Sequence, residues 1–216
     1  MGRVCRIGVA LGVVAAAAAA IGAVRRMSLR WGATGDEAMG PLPGDDILPI
    51  ADLQATRAIS IDAPRAAVWP WVAQLGQNRA GFYSYDWLEN LIGSDIHSSD
   101  TLVPELRIRG LGEAVNLAPP VALDVAAFDE GHHLVLRGGV APDGTSEGAP
   151  YDFTWAFVVT ERPGGGSRLV VRERYAYLEP WAAVLVEPIE LVSFLMSARM
   201  LRGIRDRAER GAGSER

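Results

Sequence analysis

Three groups of residues in this 216-residue chain have the chemistry to act on, or hold, another molecule. Glu173 stands in the alternation Leu169, Val171, Glu173, Tyr175, Tyr177, and every second side chain of a strand falls on one face. If that face is concave, the carboxylate points into apolar surroundings, where ionisation is costly. It then serves as a general base or as the partner of an arginine. A twist or bulge would instead make Arg172-Glu173-Arg174 a solvated surface ladder. His97, in Asp95-Ile96-His97-Ser98-Ser99-Asp100, can shuttle protons given a carboxylate partner such as Asp86 or Asp100, or it packs and caps a loop. Tyr83, Tyr85 and Trp87 crowd into one short stretch. Their rings and hydroxyls either line and orient a ligand or wedge neighbouring elements together.

Other chemistries are struck off by what the chain lacks. Its 21 basic residues are all arginine, so no lysine amine is present for a Schiff base, a phosphate loop or a Ser-Lys dyad. Cys5 is the only cysteine, which rules out an internal disulfide and a paired-cysteine metal site. His132 and His133 are adjacent, so on a strand they point to opposite faces and cannot share one ion. Gly138-Gly139 and Gly164-Gly165-Gly166 occupy turns without the spacing of a phosphate loop. No metal and no cofactor is expected. The net charge of −5 offers no field for a phosphate backbone, so nucleic acid is not an expected partner.

The elements that must position these residues follow from periodicity. Thr56 to Ile61 alternates as a strand, with Asp62 as a cap and Pro64 in the first turn of a helix carrying Val68, Trp69, Val72 and Leu75. Asp86 to Ile92 repeats the helical pattern, and Gly93 ends it. Glu113–Ala118, Val121–Phe128 and His132–Leu136 read as short strands. Tyr151 to Thr160 puts Tyr151, Phe153, Trp155, Phe157 and Val159 on one face, and Arg168 to Tyr177 returns after a glycine hairpin. A long helix closes the chain, with Ile189, Val192, Leu195, Met196, Met200 and Ile204 on one stripe. Leu191 and Phe194 widen that stripe, which predicts burial on more than one side. One strand, two short helices, a run of antiparallel strands and a last helix give an α+β fold. A strongly curved sheet with the helix across its concave face leaves a cavity between them. Tyr151, Phe153, Trp155 and Tyr175 from the strands and Met196 from the helix are the further ligand-binding candidates.

The chain divides into an apolar helix with basic flanks (1–30), a Gly/Pro/Asp-rich linker lying on the surface (31–54), the folded domain (55–210) and a disordered tail (211–216). Ile7 to Val24 carries no charge and is flanked by Arg3 and Arg6 on one side and Arg25, Arg26 and Arg30 on the other. Its length just reaches the roughly 20 residues that cross a bilayer, and it reads as a membrane anchor. A cleaved signal peptide and a buried soluble helix are the alternatives. The Arg25-Arg26 pair favours a cytoplasmic domain; an exported one follows if the segment is cleaved.

The element order resembles the START-like superfamily (SRPBCC; polyketide cyclase/dehydrase-like), over about Thr56 to Arg210. The residues that carry the resemblance are Ile61-Asp62-Ala63-Pro64 with Val68-Trp69-Pro70-Trp71, the run Gly81-Phe82-Tyr83-Ser84-Tyr85-Asp86-Trp87-Leu88-Glu89-Asn90, and Tyr151-Asp152-Phe153-Thr154-Trp155. The resemblance implies a helix-grip fold, a sheet wrapped around a long C-terminal helix, with a cavity for a small hydrophobic or amphipathic molecule. It does not imply an enzyme. A membrane-tethered binding protein is the leading expectation. A cyclase/dehydratase-like or hydrolytic enzyme using His97, Glu173 or a tyrosine, and a non-catalytic membrane-associated interaction protein, are the alternatives.

Overall fold

The computed structural model describes residue 16 and residues 19–91, 93–119, 121–141 and 147–214. Six antiparallel strands form one curved sheet: β1 (Leu53–Ile61), β2 (Ala114–Ala118), β3 (Val121–Asp129), β4 (His133–Gly138), β5 (Tyr151–Glu161) and β6 (Ser167–Tyr177), in the spatial order β1-β6-β5-β4-β3-β2. Register shifts at Asn116/Ala118 and Val125/Ala127 bend the β2–β3–β4 end, as an extra residue in one strand does. Helices α2 (Arg65–Ala73) and α3 (Asp86–Leu91) lie between β1 and β2, and α4 (Ala182–Ser214) closes the chain. At 33 residues, α4 is about 50 Å long. It extends past the expected end of the domain at residue 210.

Alternation sorts the strands. Leu53, Ile59 and Ile61 of β1, Phe153 and Phe157 of β5, and Leu169, Val171 and Tyr175 of β6 enter one buried cluster with Val68, Trp69 and Val72 of α2 and Met200, Leu201 and Ile204 of α4. That is the sheet-on-helix core the sequence pattern predicts. The start of α2 differs from expectation. Pro64 occupies the N-cap without a side-chain bond, while Asp62 pairs with Arg162 at 3.1 Å.

The segment expected as a linker lying on the surface runs along the sheet's outer face and includes one short helix. Its α1 (Gly35–Met39) carries a capping box between Thr34 and Glu37, the reciprocal arrangement that satisfies two free N–H groups. Three arginines on the outer face of β6 pin the segment down. Arg168 donates to both Glu37 oxygens at 2.7 Å. Arg172 donates to the Gly40 carbonyl at 3.0 Å, Glu37 carbonyl at 2.6 Å and Asp45 at 2.5 Å. Arg174 donates to the Leu48 carbonyl at 3.1 Å. The strap reaches β4, where Gly44 rests on the Val135 side chain. Arg172 is thus buried, with its donors satisfied by strap carbonyls and a carboxylate, which is the condition for burying a guanidinium.

Two expectations at the helical ends are corrected. The first half of α4 is covered only in part: Val184, Leu191, Val192 and Leu195 are between 49% and 79% exposed, although residues 19–29 join it through Arg25–Glu187 and Ser28–Glu190. The apolar run Ile7–Val24 lies mostly outside the described residues. Residues 19–29 are helical, and no helix among the described residues is long and apolar enough to cross a membrane. Only the end of the expected apolar helix falls among the described residues, and a membrane-spanning length is not supported by them.

Candidate functional site

A cavity of about 250 Å³ opens between α4 and the inner sheet face. Trp155 of β5 and Leu117 of β2 form its sheet wall, and Val192, Ser193, Met196, Ser197 and Met200 of α4 face them. The connection from α2 to β2 closes the rest with Phe82, Ser84, Leu88, Glu89, Ser94 and Ile96. Phe82 leans on Trp155, ring centroids 5.9 Å apart.

Local sequence explains why this connection stands where it does. Gly81 has φ +77°, and a Cβ there would come within 2.7 Å of the Ser98 backbone. Tyr83 follows with φ +57°. Its amide donates to Ser98 Oγ at 2.8 Å, and Ser98 in turn donates to Asp86 through both its amide (2.7 Å) and its hydroxyl (2.6 Å). Gly203 of α4 lets the helix backbone lie directly on Tyr83; a Cβ there would meet the Tyr83 carbonyl at 2.3 Å. The same helix, one to three turns nearer its N-terminus, lines the cavity.

Most of the lining is apolar, so its few polar atoms matter. Glu89 Oε1 accepts from Ser84 Oγ at 2.7 Å. Glu89 Oε2 is buried and has no partner among the described residues, and neither has Trp155 Nε1. Burial pushes the Glu89 carboxyl above its ordinary 4.5; the Ser84 bond opposes this and the Asp86 charge adds to it. A raised pKa means the folded state holds the proton more tightly than the unfolded one, so the stability it lends is complete at low pH and is lost as pH climbs. Stability measured by denaturant melts from pH 4.5 upward should fall more steeply in wild type than in Glu89→Gln. Parallel profiles would show that this carboxyl is not desolvated.

Behind the α4 wall lies a charge network. Ser193 and Ser197 donate to Glu173 at 2.7 and 2.9 Å, and Tyr175 OH lies 3.3 Å from the same carboxylate. Arg57 donates to Glu173 at 2.7 Å, to Glu190 at 2.6 Å and to the Ser28 carbonyl at 3.0 Å. Ser28 Oγ also bonds Glu190 at 3.1 Å. Arg57, Glu173 and Glu190 are each 3% exposed or less. Burial first, then the Glu173 carboxylate, pushes the Tyr175 hydroxyl well above its usual range. With four donors on two oxygens, Glu173 has its acceptor capacity filled. Of its three readings from sequence, the arrangement matches the partner of an arginine.

The structure distributes the other candidates. Trp155 and Met196 line the cavity. Tyr151, Phe153 and Tyr175 form an aromatic cluster on the inner face, with centroids 4.6 and 5.6 Å apart, outside that lining. Tyr83 is buried as a wedge: its ring stands edge-on to Trp71 at 5.7 Å and under Arg207, and its hydroxyl accepts from Gln74 at 2.8 Å. Tyr85 lies under Arg199, and Trp87 is 67% exposed. His97 sits in solvent 3.2 Å from Asp95, because Asp86 is committed to Ser98 and Asp100 to Arg207. Among the described residues no cluster of potential metal ligands forms.

Sequence reasoning missed Glu89, Ser84, Ser193, Ser197 and Arg57. Arg57 had a usable signal, since it shares strand parity with Ile59 and Ile61 on the buried face. Ser193 and Ser197 stand four residues apart on a helix, hence on one side of it.

No family model and no curated protein matches the chain. Solved structures similar to it include a hypothetical protein, jhp0584, from Helicobacter pylori, at 10% identity over 78% of this chain and 95% of that one, TM-score 0.48. CalU16 from Micromonospora echinospora is 18% identical over 74% of this chain and 86% of that one, TM-score 0.36. DynU16, described as a putative protein in the dynemicin biosynthetic locus, is 16% identical over 70% of this chain and 46% of that one, TM-score 0.39. Overlaps this loose leave the fold description resting on the strand order and the placement of α4.

Proposed function

We propose that this chain is a START-like binding protein that holds a small apolar or amphipathic molecule between α4 and the inner sheet face, tethered to a membrane through its N-terminal apolar segment. The observation that carries the binding reading is the cavity itself: a mostly apolar space lined by two residues, Glu89 and Trp155, that each carry a buried polar atom without a partner among the described residues. Ligand pockets combine an apolar lining with a few fixed polar groups in this way, in volumes of about 300–1,000 Å³. At about 250 Å³ the cavity falls just below that range and takes a small molecule. A ligand burying on the order of 200 Å² of apolar surface gains about 5 kcal/mol, before the cost of immobilisation.

Met196→Trp should fill the space. Titration with an environment-sensitive naphthalene probe should then show affinity reduced at least about tenfold, a loss of about 1.4 kcal/mol, with the far-ultraviolet circular dichroism of wild type. Undiminished binding in this variant would remove the cavity as the site. Mass spectrometry of an organic extract of the purified full chain is the companion measurement, and a co-purified small molecule is expected.

Two features support the tether. Residues 19–29 run against α4, joined by Arg25–Glu187 at 2.5 Å and Ser28–Glu190 at 3.1 Å. Exposed Ile21 and Val24 there lie beside exposed Leu191. The full chain is expected in the membrane pellet after alkaline carbonate extraction, and recovery in the supernatant would end this part of the reading.

One observation favours an acid–base reading of the same cavity: Ser84 and Glu89 form a hydroxyl–carboxylate pair at 2.7 Å, within the reach proton transfer requires. It predicts turnover of the extracted molecule, lost in Glu89→Gln while binding persists.

A further inference from the structure

The cavity lining holds one carboxylate, Glu89, and no cation. Ser193 and Ser197 spend their protons on Glu173, and Ser84 spends its proton on Glu89. Each of these three hydroxyls therefore offers the cavity only lone pairs. Glu89 adds a carboxylate oxygen that is buried and unpartnered among the described residues. No arginine or histidine belongs to the lining, and the chain contains no lysine. Asp86, the charged group that acts on Glu89 from its own segment, accepts from Ser98, and Arg199 of α4 lies over the Tyr85 ring. A carboxylate with no cation in its lining, in a mostly apolar enclosure, is complementary to a ligand that brings positive charge. An ammonium has three N–H donors and no lone pair.

We propose that the ligand is a cationic amphiphile, its protonated amine paired with Glu89 and its apolar body against Trp155, Met196 and Met200. The inference rests on the cavity-binding reading above and adds the chemical class of the ligand. A charge-assisted bond to a carboxylate is stronger than a neutral one, and in a space this apolar the unpaired carboxylate is the less favourable state. Trp155 Nε1 is a buried donor without a partner among the described residues. It suits one acceptor, such as an ether or hydroxyl oxygen, on the ligand's body.

The test uses the full-length chain and two probes of the same shape, naphthylethylamine and naphthylethanol, at neutral pH. The amine is expected to bind wild type at least about tenfold more tightly than the alcohol, the scale of one hydrogen bond to a charged group. Glu89→Gln keeps an oxygen for Ser84 and removes the charge. It should abolish the preference by weakening the amine and leave the alcohol within about threefold, with a melting curve showing the variant folded. Equal binding of the two probes to wild type, or equal weakening of both by Glu89→Gln, would overturn the assignment of a cation while leaving the cavity reading intact. Binding of neither probe would overturn both.

Discussion

Arg57→Met is expected to destabilise the protein by about 3–5 kcal/mol, the range found when one partner of a buried ion pair is removed. The size comes from what is left behind. Arg57 serves two carboxylates, Glu173 and Glu190, at 2.7 and 2.6 Å, and all three groups are out of water. Without the guanidinium, two like charges remain in one buried site. They must then ionise at high cost, take up protons, or draw water into the core. Ser193, Ser197 and Ser28 soften the loss without supplying charge. The triple variant Arg57→Met, Glu173→Leu, Glu190→Leu should recover much of the stability, because apolar replacements of similar volume usually do as well as a buried network. Denaturant melts of both variants check this. An Arg57→Met effect below about 1 kcal/mol, the size of an exposed pair, would mean that water reaches the network.

Gly203→Ala should cost about 1–3 kcal/mol, the usual cost of overpacking, although alanine is worth about 1 kcal/mol more than glycine within a helix. The new methyl would stand 2.3 Å from the Tyr83 carbonyl oxygen and 2.8 Å from Tyr83 Cβ. Both belong to a turn already held by Ser98, Gln74 and Arg207. A flexible side chain would move aside, but a pinned backbone cannot. The helix must therefore lift, and Met200 and Met196 lift with it. Naphthalene-probe affinity should fall alongside the melting temperature. A stabilised variant would show that α4 does not rest on this turn.

Much of the fold was legible because burial acts on each element separately. A strand with one face on the core must alternate, and Tyr151 to Val159 and Leu169 to Tyr177 do so. A helix across a sheet must carry a stripe, and Met200 and Ile204 mark it. Legibility failed where an element has two neighbours or none. The alternation of β5 marks one buried face, yet Ala156 and Val158 on its other face are buried too, since the strap covers that side of the sheet. Ile189, Val192 and Leu195 read as core but lie open. Apolar type records a preference to leave water, not the presence of a partner.

The candidate site divides along the same line. Sequence alone determined the α+β order, the aromatic strand faces, the lack of any lysine or second cysteine, and a carboxylate at Glu173 on the strand face of Leu169, Val171 and Tyr175. Tertiary structure alone decided what that carboxylate meets, since Arg57 and Glu190 lie 116 and 17 positions away along the chain and only strand register and helix placement bring them together. It also decided that Ser84 and Glu89, rather than Tyr83 and Tyr85, face the cavity. Periodicity is set by short-range geometry that the chain carries with it. The choice of partner depends on distances across the fold, and those exist only once sheet, strap and closing helix have packed.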